Sequence, residues 1–250
     1  MLIGNTDDGV LRCSRYAFGP NRLHYCGPDA NREIFSYINE SITDVGLTAL
    51  LKKFETLYPY LRLIAEANAL TDPFHEKVVE AYWLGNQLLE NVSKKQLYKN
   101  LVDDHSMKKR LTMKAFGIIS DKIGGEALPH HSFHVLNIWK NTGTSLDEQI
   151  IESMRECIVS WGTVTKVAGP AMTVSTQPFI YETNHFCLGE PIYRIVYRPF
   201  DTSDNFEDVK VGDIITLHWG VPCEIISPTQ AKVLEHYTKQ SIALANKFIP

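Results

Sequence analysis

Two short segments carry the side chains best suited to grip a metal. The first is Cys157-Ile-Val-Ser-Trp161-Gly162-Thr-Val164, a cysteine that opens a strand-like run. The second is Val211-Gly-Asp-Ile-Ile-Thr-Leu-His218-Trp-Gly220, a strand-like run that ends in a histidine. A soft thiolate and an imidazole, each on a rigid strand, form a two-point grip for a transition metal such as iron. A third group is Pro129-His130-His131-Ser-Phe133-His134, three histidines in five residues of a chain with nine. If the segment is helical, His130 and His134 share a face, as paired metal ligands often do. In extended backbone they still share a side, with His131 opposite. His130 and His134 are therefore expected ligands, and His131 an expected contact to whatever is bound. The segment from Arg15 to Pro28 is rich in turn formers, aromatics and metal-capable side chains. It adds Cys26 as an expected ligand and His24 as a further metal-capable contact to what is bound, with Arg15 and Arg22 as donors to an anionic ligand.

The elements that must hold these groups change character along the chain. From residue 29 to residue 156 apolar residues recur at helical spacing, with start signals at Asp29, Thr43-Asp44, Asp72-Pro73, Ser93 and Ser145. After Cys157 the pattern becomes short β-branched and aromatic runs, with a turn at Gly169-Pro170 and a polar loop over 200–208. Ser227-Pro228-Thr-Gln230 then combines an N-cap, a proline at the first helical position and a capping-box partner. The expected fold class is α+β. An all-helical domain over 1–155 precedes a small OB-like β-barrel with one C-terminal helix over 156–250.

Composition removes several function classes. The chain has 250 residues and a formal net charge of −4, with no basic stripe of the kind that meets nucleic acid. No run approaches the roughly 20 apolar residues of a membrane span. The first residues have neither the basic region nor the apolar core of a signal peptide, so the expected compartment is the cytoplasm. Five cysteines without a CxxC pair argue against a disulfide framework and a structural zinc site of common spacing. There is no phosphate-binding glycine loop, dinucleotide fingerprint or Ser-His-Asp arrangement.

The two opening motifs, followed by the helix from Pro228, resemble the HypC/HupF family of nickel–iron hydrogenase maturation chaperones. That family has a Cys-x-x-x-Pro-Gly-x-Val-like segment, then a Gly-Asp/Gln-x-x-Leu/Val-x-His-x-Gly segment, then a helix. Here Cys157, Gly162 and Val164, then Gly212-Asp213, His218 and Gly220, follow in that order. The resemblance implies a HypC-like barrel that binds iron carrying cyanide and carbon monoxide. Cys157 would be the iron ligand, His218 would lie beside it, and the partner would be a hydrogenase large subunit or a maturation scaffold. The chain departs from the pattern in its internal cysteine, in Trp161 for the proline and in a longer gap to the histidine. The 15–28 and 129–135 segments, with Glu80-Ala-Tyr-Trp83-Leu-Gly-Asn86, resemble an uncharacterised family associated with hydrogenase genes. Two other readings stand beside the carrier. One is a metalloenzyme whose helical domain uses histidine-bound iron or zinc to supply or modify a ligand of the carried iron. The other is an interaction module whose Val79, Tyr82 and Trp83 face docks a hydrogenase subunit.

Overall fold

The computed structural model describes residues 8–138, 148–198 and 209–248. Ser145 and the polar loop over 200–208 lie outside the described residues. Asp8 caps the first helix, α1 (Gly9–Asn21), accepting from the backbone N–H groups of Val10 and Leu11. All residues of α1 except Val10 are buried, its arginines included, so no solvent-facing stripe marks it in the sequence. α2 (Asn31–Asn39), α3 (Val45–Leu51), α4 (Leu57–Ala67) and α5 (Glu76–Trp83) follow. Asp44 caps α3 as its residue type suggests. Asp72-Pro73 does not open α5; His75 is its N-cap, and the Asp72 carboxylate instead accepts from the Phe74 N–H in the preceding turn. A 3-10 turn over Gln87–Asn91 leads to α6 (Lys94–Asp103), where Ser93 and Gln96 form a capping box. α7 (Met107–Arg110) and α8 (Met113–Gly124) precede α9 (His131–Phe133), which passes into one π-turn over His134–Ile138.

α10 (Glu148–Cys157) ends on Cys157, so this cysteine closes a helix and does not open a strand. The strands are β1 (Ser160–Ala168), β2 (Ala171–Thr176), β3 (Phe179–Glu182), β4 (His185–Leu188), β5 (Ile192–Tyr197), β6 (Ile214–His218) and β7 (Val221–Ile226). Five of them form an antiparallel sheet in the order β5-β2-β1-β6-β7, while β3 and β4 pair as a separate hairpin. The edge strands β5 and β7 approach each other without forming a ladder, so the described strands make an open sheet, not a closed barrel. α11 (Pro228–Asn246) follows the Ser227–Gln230 capping box. The fold is α+β.

The largest apolar cluster draws on both sides of residue 156. It joins Tyr16, Leu61 and Tyr82 to Val159, Cys223, Leu234 and Leu244. α1 is the joint. The Arg12 guanidinium donates through Nε and Nη2 to Glu224 Oε1 of β7 at 3.1 and 2.9 Å, and the Tyr16 hydroxyl donates to the same oxygen at 2.5 Å. Such charge-assisted bonds are geometrically demanding, and both Arg12 and Glu224 are buried, so α1 sits in one place against the sheet. No helix among the described residues is long and apolar enough to cross a membrane.

Candidate metal centre

Three elements deliver three donors to one point. β6 ends on His218, α10 ends on Cys157 and α9 begins on His131. One ligand atom from each lies within 4.8 Å of the others. His218 is 1% exposed, and its Nδ1 lies 2.7 Å from the Tyr16 carbonyl. A carbonyl only accepts, so Nδ1 carries the proton and Nε2 keeps a lone pair. That Nε2 is buried and makes no hydrogen bond of good geometry among the described residues, although the Cys157 main chain also acts on the ring. Cys157 is half-buried, with Sγ 3.9 Å from His131 Nε2. His131 Nε2 also lies 2.8 Å from the Cys157 carbonyl, and its Nδ1 lies 3.1 Å from the Tyr82 hydroxyl.

Aromatic rings fix the two imidazoles. Trp83 packs on His131 at 4.5 Å and on His218 at 5.3 Å between ring centroids. The imidazoles meet at 5.0 Å with planes at 90°. α11 holds the α9 segment from behind, through Ser132 Oγ with Thr238 Oγ1 and Asn137 Nδ2 donating to the Ser241 carbonyl. The three donors line a cleft of about 260 Å³ with Ala17, Cys26, Phe54 and Trp219.

The β6–β7 hairpin is a two-residue turn in which both Trp219 (φ 52°) and Gly220 (φ 71°) are left-handed. That is the geometry of a type I′ turn, where asparagine or glycine is usual. A tryptophan there costs about 1–3 kcal/mol of backbone strain. Its ring stacks on Tyr25 at 4.4 Å, and its backbone N–H donates to the Glu156 carbonyl at 2.8 Å, tying the turn to the end of α10.

Burial pushes the Cys157 thiol up to about 12; the Trp219 indole N–H partly opposes this, and Cys26 adds to it. Burial pushes His218 down to about 4 and His131 well below its ordinary value. At neutral pH the site is a thiol beside two uncharged imidazoles. As a nucleophile that thiol is idle, because the thiolate is the reactive form. As a ligand the His218 imidazole is ready, whereas His131 Nε2 faces the Cys157 carbonyl and the thiol still holds its proton, which a bound metal would have to displace. Two nitrogens and a sulfur suit iron, zinc or copper, and three protein ligands beside an open cleft leave a coordination position free.

Residues 5–249 match the model of a family of unknown function, DUF6390. The chain belongs to the DUF6390 family. No curated protein and no solved structure matches it. The family match covers both the helical and the strand-rich parts, so the three donors of this DUF6390 chain all fall inside it.

Two of the expected ligands, Cys157 and His218, are brought together here, and His131 joins them in place of His130 and His134. The i, i+4 pairing of His130 and His134 fails because the helix begins only at His131 and turns into a π-turn three residues later. His130 is the N-cap in extended backbone; its Nδ1 accepts from the Ser132 N–H and its ring stacks on Tyr237. His134 lines the cleft, but its Nδ1 is engaged by the Tyr60 hydroxyl at 3.1 Å and it lies outside the three-donor group. Cys26 also lines the cleft without joining that group. Arg15 is buried in α1 beside Glu224 and Cys223. Arg22 donates to the Trp219 carbonyl at 3.2 Å. His24 is exposed and faces Asp29 at 3.6 Å. Tyr16, Tyr82 and Trp219 fall in segments that the sequence marks, over 15–28, 80–86 and 211–220, with Tyr82 read as part of a docking face. None is expected there to orient a ligand, because an aromatic that packs on a histidine-bearing segment follows the same pattern as any core residue.

Proposed function

We propose that this protein holds iron at Cys157, His218 and His131 and carries it for assembly of a nickel–iron hydrogenase active site. The observation that carries the reading is the convergence of one donor atom each from Cys157, His218 and His131 within 4.8 Å beside a cleft, with the buried His218 Nε2 making no hydrogen bond of good geometry among the described residues. A buried acceptor without a partner costs about 1–3 kcal/mol, and a metal ion at that point would remove the cost. The resemblance to HypC-type chaperones rests on the same cysteine and the same histidine. On this reading the curled sheet and α11 are the counterpart of the HypC-like barrel. The cleft has room for small ligands such as cyanide and carbon monoxide on the iron. The receiving partner is a hydrogenase large subunit or a maturation scaffold in the cytoplasm. A metalloenzyme built on His130 and His134 has less support, because His130 is spent as a helix cap.

The test is iron content after anaerobic purification from a host that has the maturation machinery. Wild-type protein should carry about one iron per chain, with cyanide and carbonyl bands in the infrared. Cys157→Ala should carry almost none while keeping the wild-type circular dichroism. Equal iron in the two proteins would sink the proposal.

A further inference from the structure

Building on that metal-holding reading, we infer that His131 is a conditional ligand, joining Cys157 and His218 only after its ring proton has moved from Nε2 to Nδ1. The hydrogen-bond partners assign the resting tautomer. The Cys157 carbonyl, 2.8 Å from Nε2, can only accept, so Nε2 bears the proton. The Tyr82 hydroxyl, 3.1 Å from Nδ1, then donates to the ring's lone pair. In this state the nitrogen nearest the Cys157 sulfur, at 3.9 Å, has no orbital to offer a metal. The other nitrogen faces Tyr82.

His218 is arranged the opposite way. Its Nδ1–H is held at 2.7 Å by a main-chain carbonyl, that of Tyr16, which leaves the lone pair on Nε2; the Cys157 main chain also acts on this ring but makes no hydrogen bond of good geometry to Nε2. One imidazole is thus ready and the other is latched. The latch is reversible because of what holds it. A carbonyl at Nδ1 would fix one tautomer, whereas a hydroxyl serves both, donating to the lone pair at rest and accepting from Nδ1–H afterwards. When His131 joins, Nδ1 takes the proton of the Tyr82 hydroxyl, and the proton leaving Nε2 passes through the cleft that both side chains line to restore that hydroxyl, so ring and phenol both stay neutral. Metal-ligating histidines use their second nitrogen in this way, with an oxygen partner that fixes the tautomer. Tyr82 is that positioning residue. The site therefore captures metal with two ligands and retains it with three, and return of the proton to Nε2 loosens the grip for hand-over.

Histidine nitrogen NMR on the full-length protein tests this, with and without one equivalent of Zn²⁺ as a diamagnetic probe. Without metal, His131 should show Nε2–H and His218 should show Nδ1–H. With Zn²⁺, His218 should keep its tautomer while its Nε2 shifts, and His131 should switch to Nδ1–H. If Zn²⁺ perturbs Cys157 and His218 but His131 stays Nε2–H, the inference is overturned and the carrier reading survives. If Zn²⁺ perturbs neither Cys157 nor His218, both are overturned. A second arm uses His131→Gln, whose amide can still donate to the Cys157 carbonyl. It should release Zn²⁺ to a chelator at least about tenfold faster than the wild type, a loss that outer-shell changes already reach. Release at the wild-type rate would overturn the inference.

Discussion

His218 and His131 are held neutral by burial, and so is His130, whose ring is pushed down to about 3 although it takes no part in the donor group. In the unfolded chain all three would titrate near the ordinary histidine value of about 6.5. Above that pH neither state binds the extra proton and stability is at its full value. Below it the unfolded chain takes up protons that the folded chain refuses until the pH reaches the depressed folded values. Stability must therefore fall as pH drops from about 6.5 toward about 4, by ~1.4 kcal/mol per pH unit for each group. The urea midpoint of the metal-free protein should drop clearly between pH 7 and pH 5. A midpoint that stays level over that interval would show that these imidazoles are open to water. The same burial explains why Cys157 needs a metal: with its thiol pushed up to about 12, only a strong Lewis acid displaces its proton at neutral pH.

Much of the element pattern was legible, because caps act locally. Asp44, Ser93 and Ser227 each open a helix by accepting from a backbone N–H two or three residues on, and the residue type alone announces it. What was not legible depended on contacts between distant segments. α1 has no exposed stripe because it lies between α5 and the sheet, and the charge of its Arg12 is met by Glu224, more than two hundred residues away. Cys157 sits at a helix end because α10 runs on to it and β1 begins only at Ser160, where the change of period gave no sharp boundary. The role of His131 was hidden by the same kind of local error, since a helix that starts one residue late moves the whole i, i+4 register. The joint between α1 and the β6–β7 turn makes its own prediction. A Cβ on Gly19 would stand 2.5 Å from the His218 carbonyl oxygen and 3.1 Å from Trp219 Cβ, against main chain that has little freedom to move. Gly19→Ala should cost about 1–3 kcal/mol by overpacking. It should also weaken metal retention, because the Tyr16–His218 hydrogen bond spans the same joint. Denaturant titration and chelator competition on one preparation measure both. Lost stability with unchanged retention would show that the ligand geometry does not depend on how closely α1 lies.

At the scale of the molecule, the donors come from α9, α10 and β6, so a bound ion would cross-link the helical and strand-rich parts of one apolar core. The motifs that resemble HypC proteins contain Cys157 and His218, while His131, Tyr82 and Trp83 come from the preceding helices. A site assembled this way exists only when both parts are folded, and the unfolded chain has no comparable set of donors held within reach. Binding must then appear as folding stability. At free metal a hundredfold above its dissociation constant, the gain is about 2.7 kcal/mol. For a chain of this length that is a rise of roughly 5–10 °C in Tm. Because the core runs through both parts, melting should remain a single transition that moves as a whole. Cys157→Ala should melt near the metal-free wild type and show little response to Zn²⁺. Two transitions, of which the metal moves only one, would mean that the parts unfold separately and that the ion is held by one of them alone.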